Sequence, residues 1–259
     1  MNLMISLKSE FLKTKRSPIW LFTIAMALIV PIFVLIIFKE EHDGVPSDQI
    51  KVFSKDAWNF YFYQGRGMIS IVFLPMFIVL ISALLPQIEY RNHTWKQVFA
   101  SPQSYWKIYF SKFLIFNAFM ICFFIAHGLF MGVSGMFSGM LNPKFNFAGN
   151  QVDWSQYLMK MSQAYLAILP LATLQFWLGL RFKSFLIPIG VGVLFSILGM
   201  INMIGYKLID PDKFFFNYAA FIFFKENVAR IPYVLWASTA YAVAFLLIGF
   251  LDFSRIRER

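Results

Sequence analysis

Long apolar runs recur along the chain, and most charged residues lie between them. A helix needs about 20 apolar residues to cross the roughly 30 Å hydrocarbon core of a bilayer. Six runs approach or reach that length, at residues 19–38, 68–86, 113–133, 157–180, 186–205 and 233–251. The pattern predicts one transmembrane domain over residues 1–259, an all-α, polytopic membrane helix bundle of six transmembrane helices. The first run is longer than a signal-peptide core and lacks a following cleavage site, so we expect it to be retained.

The segment 2–16 has the pattern of an amphipathic helix. Its apolar residues recur at helical spacing, and its basic residues occupy other faces. The residues that we assign to its interfacial surface are Lys8, Glu10, Phe11, Lys13, Lys15 and Arg16. Ser17-Pro18 suits the N-cap and first position of the following helix. The segment is either a basic anchor in the headgroup layer or a surface that binds a partner.

The loop at 87–112 predicts a short helix held between two long ones. Thr94 can cap a helix over residues 95–100, here called the connecting helix, in which Trp95 lies on the same side as two other apolar residues. Ser101 and Pro102 would end that helix and start the next one, as its N-cap and first residue. Aromatic side chains exposed on the connecting helix would suit a protein partner. The alternative is that they form an interfacial belt, which explains Trp106 better than Trp95.

A second unusual segment lies between the fifth and sixth runs. Residues 213–225 place about 11 apolar residues between Lys213 and Lys225, which is too few to span a bilayer. We therefore expect a re-entrant or interfacial segment. The alternative, a full span, would move the C-terminus to the opposite side of the membrane.

Composition and charge agree with a membrane protein. Hydrophobic residues make up 59% of the chain and charged residues 14%, far from the values of a soluble domain. The net charge of +10 does not point to nucleic acid, because the basic residues cluster at the ends of apolar runs. Lys and Arg are denser in the N-terminus, the 87–112 loop, the 181–183 turn and the C-terminus than in the other loops. By the positive-inside rule both termini are expected to be cytoplasmic.

Candidate chemistry is scarce. His127 lies alone in an apolar run, where packing is a commoner role than metal binding. Glu89 and His93 have the spacing of one helix face, but a zinc site needs three or four ligands and no H-E-x-x-H motif is present. No phosphate-binding G-x-x-x-x-G-K-[ST] loop occurs, and Cys122 is the single cysteine. We expect no catalytic residue, metal site or cofactor site in this chain.

The layout resembles the permease subunit of ABC transporters of the type-2 exporter class. The resemblance rests on the N-terminal S-E-F-L-K-T-K-R-S-P-I-W-L, the loop after the second run and the apolar segment between the fifth and sixth. The stretch E-Y-R-N-H-T-W-K-Q-V-F-A-S-P is similar to the family's E-x-R-x-x-T-W-K-x-x-x-x-x-P pattern. Chain length and this stretch also resemble the subgroup that protects bacteria against lantibiotic or bacitracin-like peptides.

The resemblance implies a division of labour between chains. ATP would be bound by a separate cytoplasmic ATPase, which would dock on a coupling interface formed by Glu89, Arg91, Thr94, Trp95, Lys96, Ser101 and Pro102. The N-terminal helix would contribute to that surface. A second permease subunit, identical or related, would face this one in a bacterial plasma membrane, with the second and fifth spans lining the path. The substrate would be amphipathic or hydrophobic.

Three other functions remain open from the sequence. The chain could be a non-transporting scaffold of a larger membrane complex, which would need no ATPase. It could be an intramembrane enzyme that uses Glu89 and His127. An ion-driven carrier is a further alternative, although carriers usually have paired charges within the membrane.

Overall fold

The computed structural model describes residues 3–15, 17–40, 56–141, 143, 147–203 and 209–255. These residues form helices and connecting turns, without a β-strand among them. The helices are α1 (Leu3–Thr14), α2 (Ile19–Glu40), α3 (Ala57–Arg91), α4 (Trp95–Ala100), α5 (Tyr105–Leu141), α6 (Trp154–Arg181), α7 (Leu186–Ile201), α8 (Tyr218–Phe221) and α9 (Ile231–Arg255). The expected all-helical polytopic bundle is confirmed.

Five helices are long and apolar enough to cross a membrane, namely α2, α3, α5, α6 and the C-terminal segment that contains α9. The sixth expected span is represented by α7, a shorter apolar helix of 16 residues. At 1.5 Å per residue α7 is about 24 Å long. Residues 204 and 205 of that predicted span lie outside the described residues.

Side-chain caps explain where several helices begin. The hydroxyl of Ser17 accepts a hydrogen bond from the Ile19 backbone N–H at 3.4 Å, as expected for the N-cap of α2. Asp56 and Asp153 play the same part for α3 and α6, accepting from backbone N–H groups three residues ahead. These two caps were not recognised in the sequence, and the first ten or so residues of α3 were expected to be loop.

Proline shapes α3 without ending it. The helix contains a π-helical stretch, Ile69–Phe73, which ends two residues before Pro75. Pro75 lacks an N–H and its ring crowds the preceding turn, which favours the wider hydrogen-bonding pattern there. α3 continues through Pro86 to Arg91, five residues beyond the apolar run at 68–86.

The 87–112 loop also differs from expectation. α4 has the predicted bounds, but the Thr94 side chain makes no capping hydrogen bond. Ser101 does not cap the next helix: its hydroxyl donates back to the Val98 carbonyl at 2.7 Å, and α5 begins only at Tyr105. Pro102 therefore lies in the turn rather than at the first helical position.

The interior of the bundle is rich in aromatic side chains. Phe77 of α3 stacks on Phe123 of α5 with ring centroids 4.2 Å apart. Large apolar side chains also remain exposed on the outer faces, including Leu21 of α2, Leu129 of α5 and Trp236 of α9. A soluble protein rarely exposes so much apolar surface, whereas lipid covers it in a membrane.

The apolar segment between α7 and α9 folds into short turns. It consists of the 3₁₀ turn Phe215–Asn217, the four-residue α8 and the 3₁₀ turn Lys225–Arg230. Residues 216–223 are buried against the bundle, chiefly against α6. The segment is therefore not a full span. Whether it is re-entrant or interfacial stays a prediction.

Candidate functional site

One end of the bundle brings together segments that are far apart in the chain. It carries α1, the end of α3, α4, the start of α5, the turn after α6 and the end of α9; it is called the α1 end below. Ser6 of α1 donates to Gln103, beside the start of α5, at 2.6 Å. Tyr90 of α3 donates its hydroxyl hydrogen bond to the Leu180 carbonyl at 2.8 Å. The four regions that are richest in Lys and Arg are the N-terminus, the 87–112 loop, the 181–183 turn and the C-terminus. Their described residues all lie at this end of the bundle.

Four charged side chains form a network beneath α1. Lys13 donates to Glu10 at 2.5 Å and to Glu89 at 2.9 Å. Lys112 of α5 donates to Glu10 at 2.8 Å and also to Glu89. The Glu89 side chain is 2% exposed and that of Lys112 is 7% exposed. Two carboxylates and two ammonium groups balance, so the network ties α1, α3 and α5 together without a net buried charge.

The network changes the titration of its two members in α1. Burial by itself would raise the pKa of Glu10, but the charges of Lys112 and Lys13 outweigh burial and hold that pKa below its ordinary value. Burial would likewise lower the pKa of Lys13, and the carboxylates of Glu10 and Glu89 raise it instead. Both groups are therefore held in their charged forms near neutral pH.

The chain leaves α3 through a left-handed residue. His93 has φ of 52°, and the following backbone N–H of Thr94 donates to the Glu89 carbonyl at 3.1 Å. This is the hydrogen bond of a Schellman-type helix end, for which a residue of positive φ is required. The turn fixes the angle between α3 and α4, and Glu89 lies two residues before the end of α3.

Trp95 anchors α4 by packing inward. Its ring lies 5.3 Å from Tyr90, 5.4 Å from Phe99 and 6.2 Å from Phe253 at the end of α9, measured between centroids. The ammonium group of Lys112 lies 5.2 Å from the Trp95 ring, a cation–π contact. Trp95 is therefore a link between α4 and the rest of the bundle, and it does not stand out from the surface as an exposed aromatic.

The outer side of α4 is polar and basic. Arg91, Lys96 and Pro102 are exposed. Between α4 and α1 runs a groove lined mainly by polar side chains, namely Ser6, Ser9, Glu10, Lys13, Asn92, Thr94, Gln97, Ser101 and Gln103, with Ile88, Val98 and Ile108 as its apolar members. Of the seven residues assigned to the coupling interface, Glu89 lies beneath this surface, Trp95 packs inward, and the other five lie on or beside it.

α1 presents two different faces. Its buried face carries Ser6 and Thr14 together with the charged pair of the network. Its outward face carries Lys8 and Lys15, and also apolar residues, of which Phe11 contacts the Trp20 ring at 6.1 Å. The other exposed apolar residues are Met4, Ile5 and Leu12. The ion-paired side chains thus face protein, and the apolar part of the outward face suits lipid. Arg16 lies outside the described residues.

A second ion pair holds the turn after α6. Arg181 donates to Asp252 of α9 at 2.9 Å, and the Trp177 indole N–H donates to the other carboxylate oxygen at 3.0 Å. Gln87 of α3 donates to the Lys183 carbonyl at 3.0 Å. These contacts join the ends of α3, α6 and α9.

Neither metal-ligating nor paired catalytic groups meet at this end among the described residues. No group of three or more His, Cys, Asp or Glu side chains able to hold a metal occurs in the part of the chain that the structure describes. His93 is exposed on the turn, and His127 is buried within α5. The charged side chains described at this end join helices to one another through ion pairs.

The sequence did not point to several members of this site. The contacts at this end depend on four residues that the sequence analysis did not assign to the coupling interface, namely Lys112, Gln103, Asp252 and Phe253. A signal existed for Lys112, because a lysine flanked by long apolar stretches must find a partner or reach the interface. No comparable signal marked the others.

The chain matches the family model described as ABC-2 family transporter protein over residues 6–199. No curated protein matches the chain. No solved structure matches it either. The family match covers about three quarters of the chain, from α1 through most of α7, so the chain belongs to the ABC-2 transporter family and is a multi-pass permease subunit of an ABC transporter.

Proposed function

We propose that this permease subunit serves an exporter and is driven by ATP bound and hydrolysed on a separate, cytoplasmic ATPase chain. The family assignment supplies the coarser part, a transport subunit of an ABC transporter. The proposal adds the docking site, the direction of transport and the class of substrate. It also places the α1 end, and with it both termini, in the cytoplasm of a bacterial cell, in line with the positive-inside rule.

The proposed docking site is the basic outer side of α4 together with the groove between α4 and α1. Arg91 and Lys96 provide exposed cations that would attract an acidic surface of the ATPase. The polar groove offers hydrogen-bonding groups, including Gln97 and Thr94, to an inserted side chain. The lysines of α1 extend the same basic surface.

One observation carries the coupling proposal: the buried Glu10–Lys13–Glu89–Lys112 network lies directly beneath that surface. A push on α1 reaches α3 and α5 through these ion pairs, and a push on α4 reaches α5 through the contact of Trp95 with Lys112. It reaches α9 through Trp95 and Phe253. Closure of an ATPase dimer would therefore move several long helices as a unit, because their ends cannot shift independently without breaking buried ion pairs.

We further propose that two permease subunits, identical or related, face each other across a path lined by α3 and α7. α7 supports this placement, because it packs on α3 and leaves an apolar face uncovered, with Leu194 and Ile197 exposed. The substrate would be amphipathic or hydrophobic, such as an antimicrobial peptide or a lipid-like molecule. Membership of the lantibiotic- or bacitracin-protection subgroup belongs to this proposal, and deletion of the gene should then sensitise the cell to such peptides.

The docking proposal is tested by site-specific photo-crosslinking in the native membrane. A photoreactive residue at Gln97, on the outer side of α4, should crosslink an ATPase subunit that mass spectrometry identifies. The matched control is the same residue at Val228, which is 58% exposed near the opposite end of α9. Crosslinking of an ATPase at neither position, with the chain folded and recovered intact, would favour a scaffold without an ATPase partner.

A further inference from the structure

Two cations, Arg66 of α3 and Lys160 of α6, lie near the end of the bundle opposite α1. Arg66 of α3 is only 7% exposed, and its Nε donates to the Phe62 carbonyl of its own helix at 3.2 Å. Lys160 of α6 is half-buried. Across the described residues, no carboxylate oxygen lies within 4.0 Å of either side chain. Arg66 and Lys160 therefore differ from Lys112 at the other end of the bundle, whose buried ammonium group is paired with carboxylates.

The packing of α3 against α6 brings the two cations to the same level. The Phe62 and Tyr157 rings are in contact, with centroids 4.7 Å apart. Both helices begin at this end and run in the same direction, so Arg66 and Lys160 each follow about one turn after the ring contact. Residues three or four positions apart share a helix face, so both cations lie on the sides of α3 and α6 that carry this ring contact. A cationic site therefore forms between the two helices.

The Tyr157 hydroxyl and the Phe223 ring also lie beside Arg66. The hydroxyl of Tyr157 is buried without a hydrogen-bond partner, and it lies within electrostatic range of Arg66. It fits beside Gly128 of α5, where an added Cβ would lie 2.9 Å from the hydroxyl oxygen. On another side the Arg66 guanidinium carbon lies 6.0 Å from the centroid of the Phe223 ring.

Buried cations of this kind require compensation. An arginine keeps its charge in proteins, and a charge buried without a partner has a large free-energy cost. An anion would remove that cost. A guanidinium group binds phosphate oxygens through two parallel hydrogen bonds, so a phosphate group suits Arg66, with Lys160 and the Tyr157 hydroxyl as additional donors.

Arg66 and Lys160 lie within a few residues of the starts of the apolar runs 68–86 and 157–180, where the edge of the hydrocarbon core is expected. Arg66 lies about 14 Å along α3 from Ala57, and Lys160 about 9 Å along α6 from Trp154, at 1.5 Å per residue. Exposed Trp154 and Tyr63 near the helix starts are typical of the membrane interface. Leu158 and Met159, which precede Lys160, are exposed, so apolar surface suited to lipid lies beside Lys160.

We propose that Arg66, Lys160 and the Tyr157 hydroxyl form a binding site for the phosphate group of an anionic lipid or lipid-like molecule, which enters sideways from the membrane. The site is independent of the proposed ATPase docking, since it lies at the other end of the bundle. Its ligand could be a resident lipid or a transported amphiphile, and the shared chemistry is the phosphate group in an apolar setting.

The test compares thermal unfolding of the purified full chain in a neutral detergent under three conditions: no addition, phosphatidylglycerol, and inorganic phosphate. Phosphatidylglycerol should raise the Tm of the natural protein, and Arg66→Gln should abolish that rise. Without lipid, Arg66→Gln should unfold at the same or a higher temperature, because it removes an unpaired buried charge. Native mass spectrometry should show about tenfold weaker retention of phosphatidylglycerol by Arg66→Gln, as expected when a charged hydrogen-bonded contact is lost.

Matched controls remove a cation at the α1 end, where Arg255→Gln and Lys183→Gln alter exposed side chains and should leave phosphatidylglycerol binding unchanged. Should Arg66→Gln fail to fold, Lys160→Gln and Tyr157→Phe test the same site, and Tyr157→Phe should weaken lipid retention without lowering the lipid-free Tm. A lower Tm for Arg66→Gln both with and without lipid would overturn the proposal and assign a structural role. If inorganic phosphate raised Tm as much as phosphatidylglycerol does, the ligand would be a free anion and the lipid proposal would be overturned.

Discussion

Substitution of Glu89 by glutamine tests whether the buried network holds the α1 end together. The change removes one negative charge from a site with two cations and leaves Glu10 alone to balance Lys13 and Lys112. Removing one partner of a buried ion pair costs about 3–5 kcal/mol. The Lys13 side chain is 28% exposed, and water can solvate part of the excess charge, so we expect the lower end, about 3 kcal/mol.

The assay is thermal unfolding of the purified chain in detergent, followed by tryptophan fluorescence. For a chain of this size about 1 kcal/mol corresponds to a shift of about 2–4 °C in Tm, so Glu89→Gln should lower Tm by about 6–12 °C. The matched control is Asp210→Asn, which removes a carboxylate from an exposed ion pair with Lys213. It should leave Tm unchanged, because exposed pairs contribute little.

A double-mutant cycle distinguishes charge imbalance from loss of packing. Lys112→Met in the Glu89→Gln background restores neutrality, and the double variant should recover about 2 kcal/mol relative to the sum of the two single changes. A Tm for Glu89→Gln within about 1 °C of the control would refute the reasoning. So would a double variant whose destabilisation equals the sum of the single ones.

Three further predictions concern packing and pH. Gly179→Ala would place a Cβ 2.2 Å from a backbone carbonyl oxygen of α3 and should cost about 1–3 kcal/mol in unfolding experiments, whereas Gly190→Ala meets nothing within 4 Å and should be neutral or slightly stabilising. The Trp95–Phe253 contact should give a coupling energy of about 0.5–1.5 kcal/mol in a double-alanine cycle, and additive effects would contradict the link between α4 and α9. The folded-state pKa of Glu10 is held below its ordinary value of 4.5. The contribution of Glu10 to the stability of the folded state is therefore fully present above pH 4.5 and is lost as pH falls through the folded pKa. Cleavage of α1 by added protease should increase over that pH range, and Glu10→Gln should remove this pH dependence.

The pattern of apolar runs was sufficient to predict the class of fold, an all-helical membrane bundle. Apolar runs of about 20 residues have few stable alternatives to helices in lipid, because each backbone hydrogen bond must be made within the segment. The runs therefore indicated helices at α2, α3, α5, α6, α7 and α9, and Ser17 marked the start of α2. The same local rules failed at prolines. Pro86 stays within α3, where it packs beside Gly179 of α6, and contacts between helices outweigh the local cost of the ring.

The sequence by itself determined the apolar part of each long helix and the segments that carry the candidate coupling residues, since both follow from composition within a window. Only the tertiary structure decided which side chains meet. Glu89 looked like a surface residue until Lys112 and Lys13, 23 and 76 positions away in the chain, were found to enclose it. Arg66 and Lys160 likewise become a site only when α3 packs on α6. The rotation of each helix about its axis depends on how all the helices pack together, and no local window contains that information.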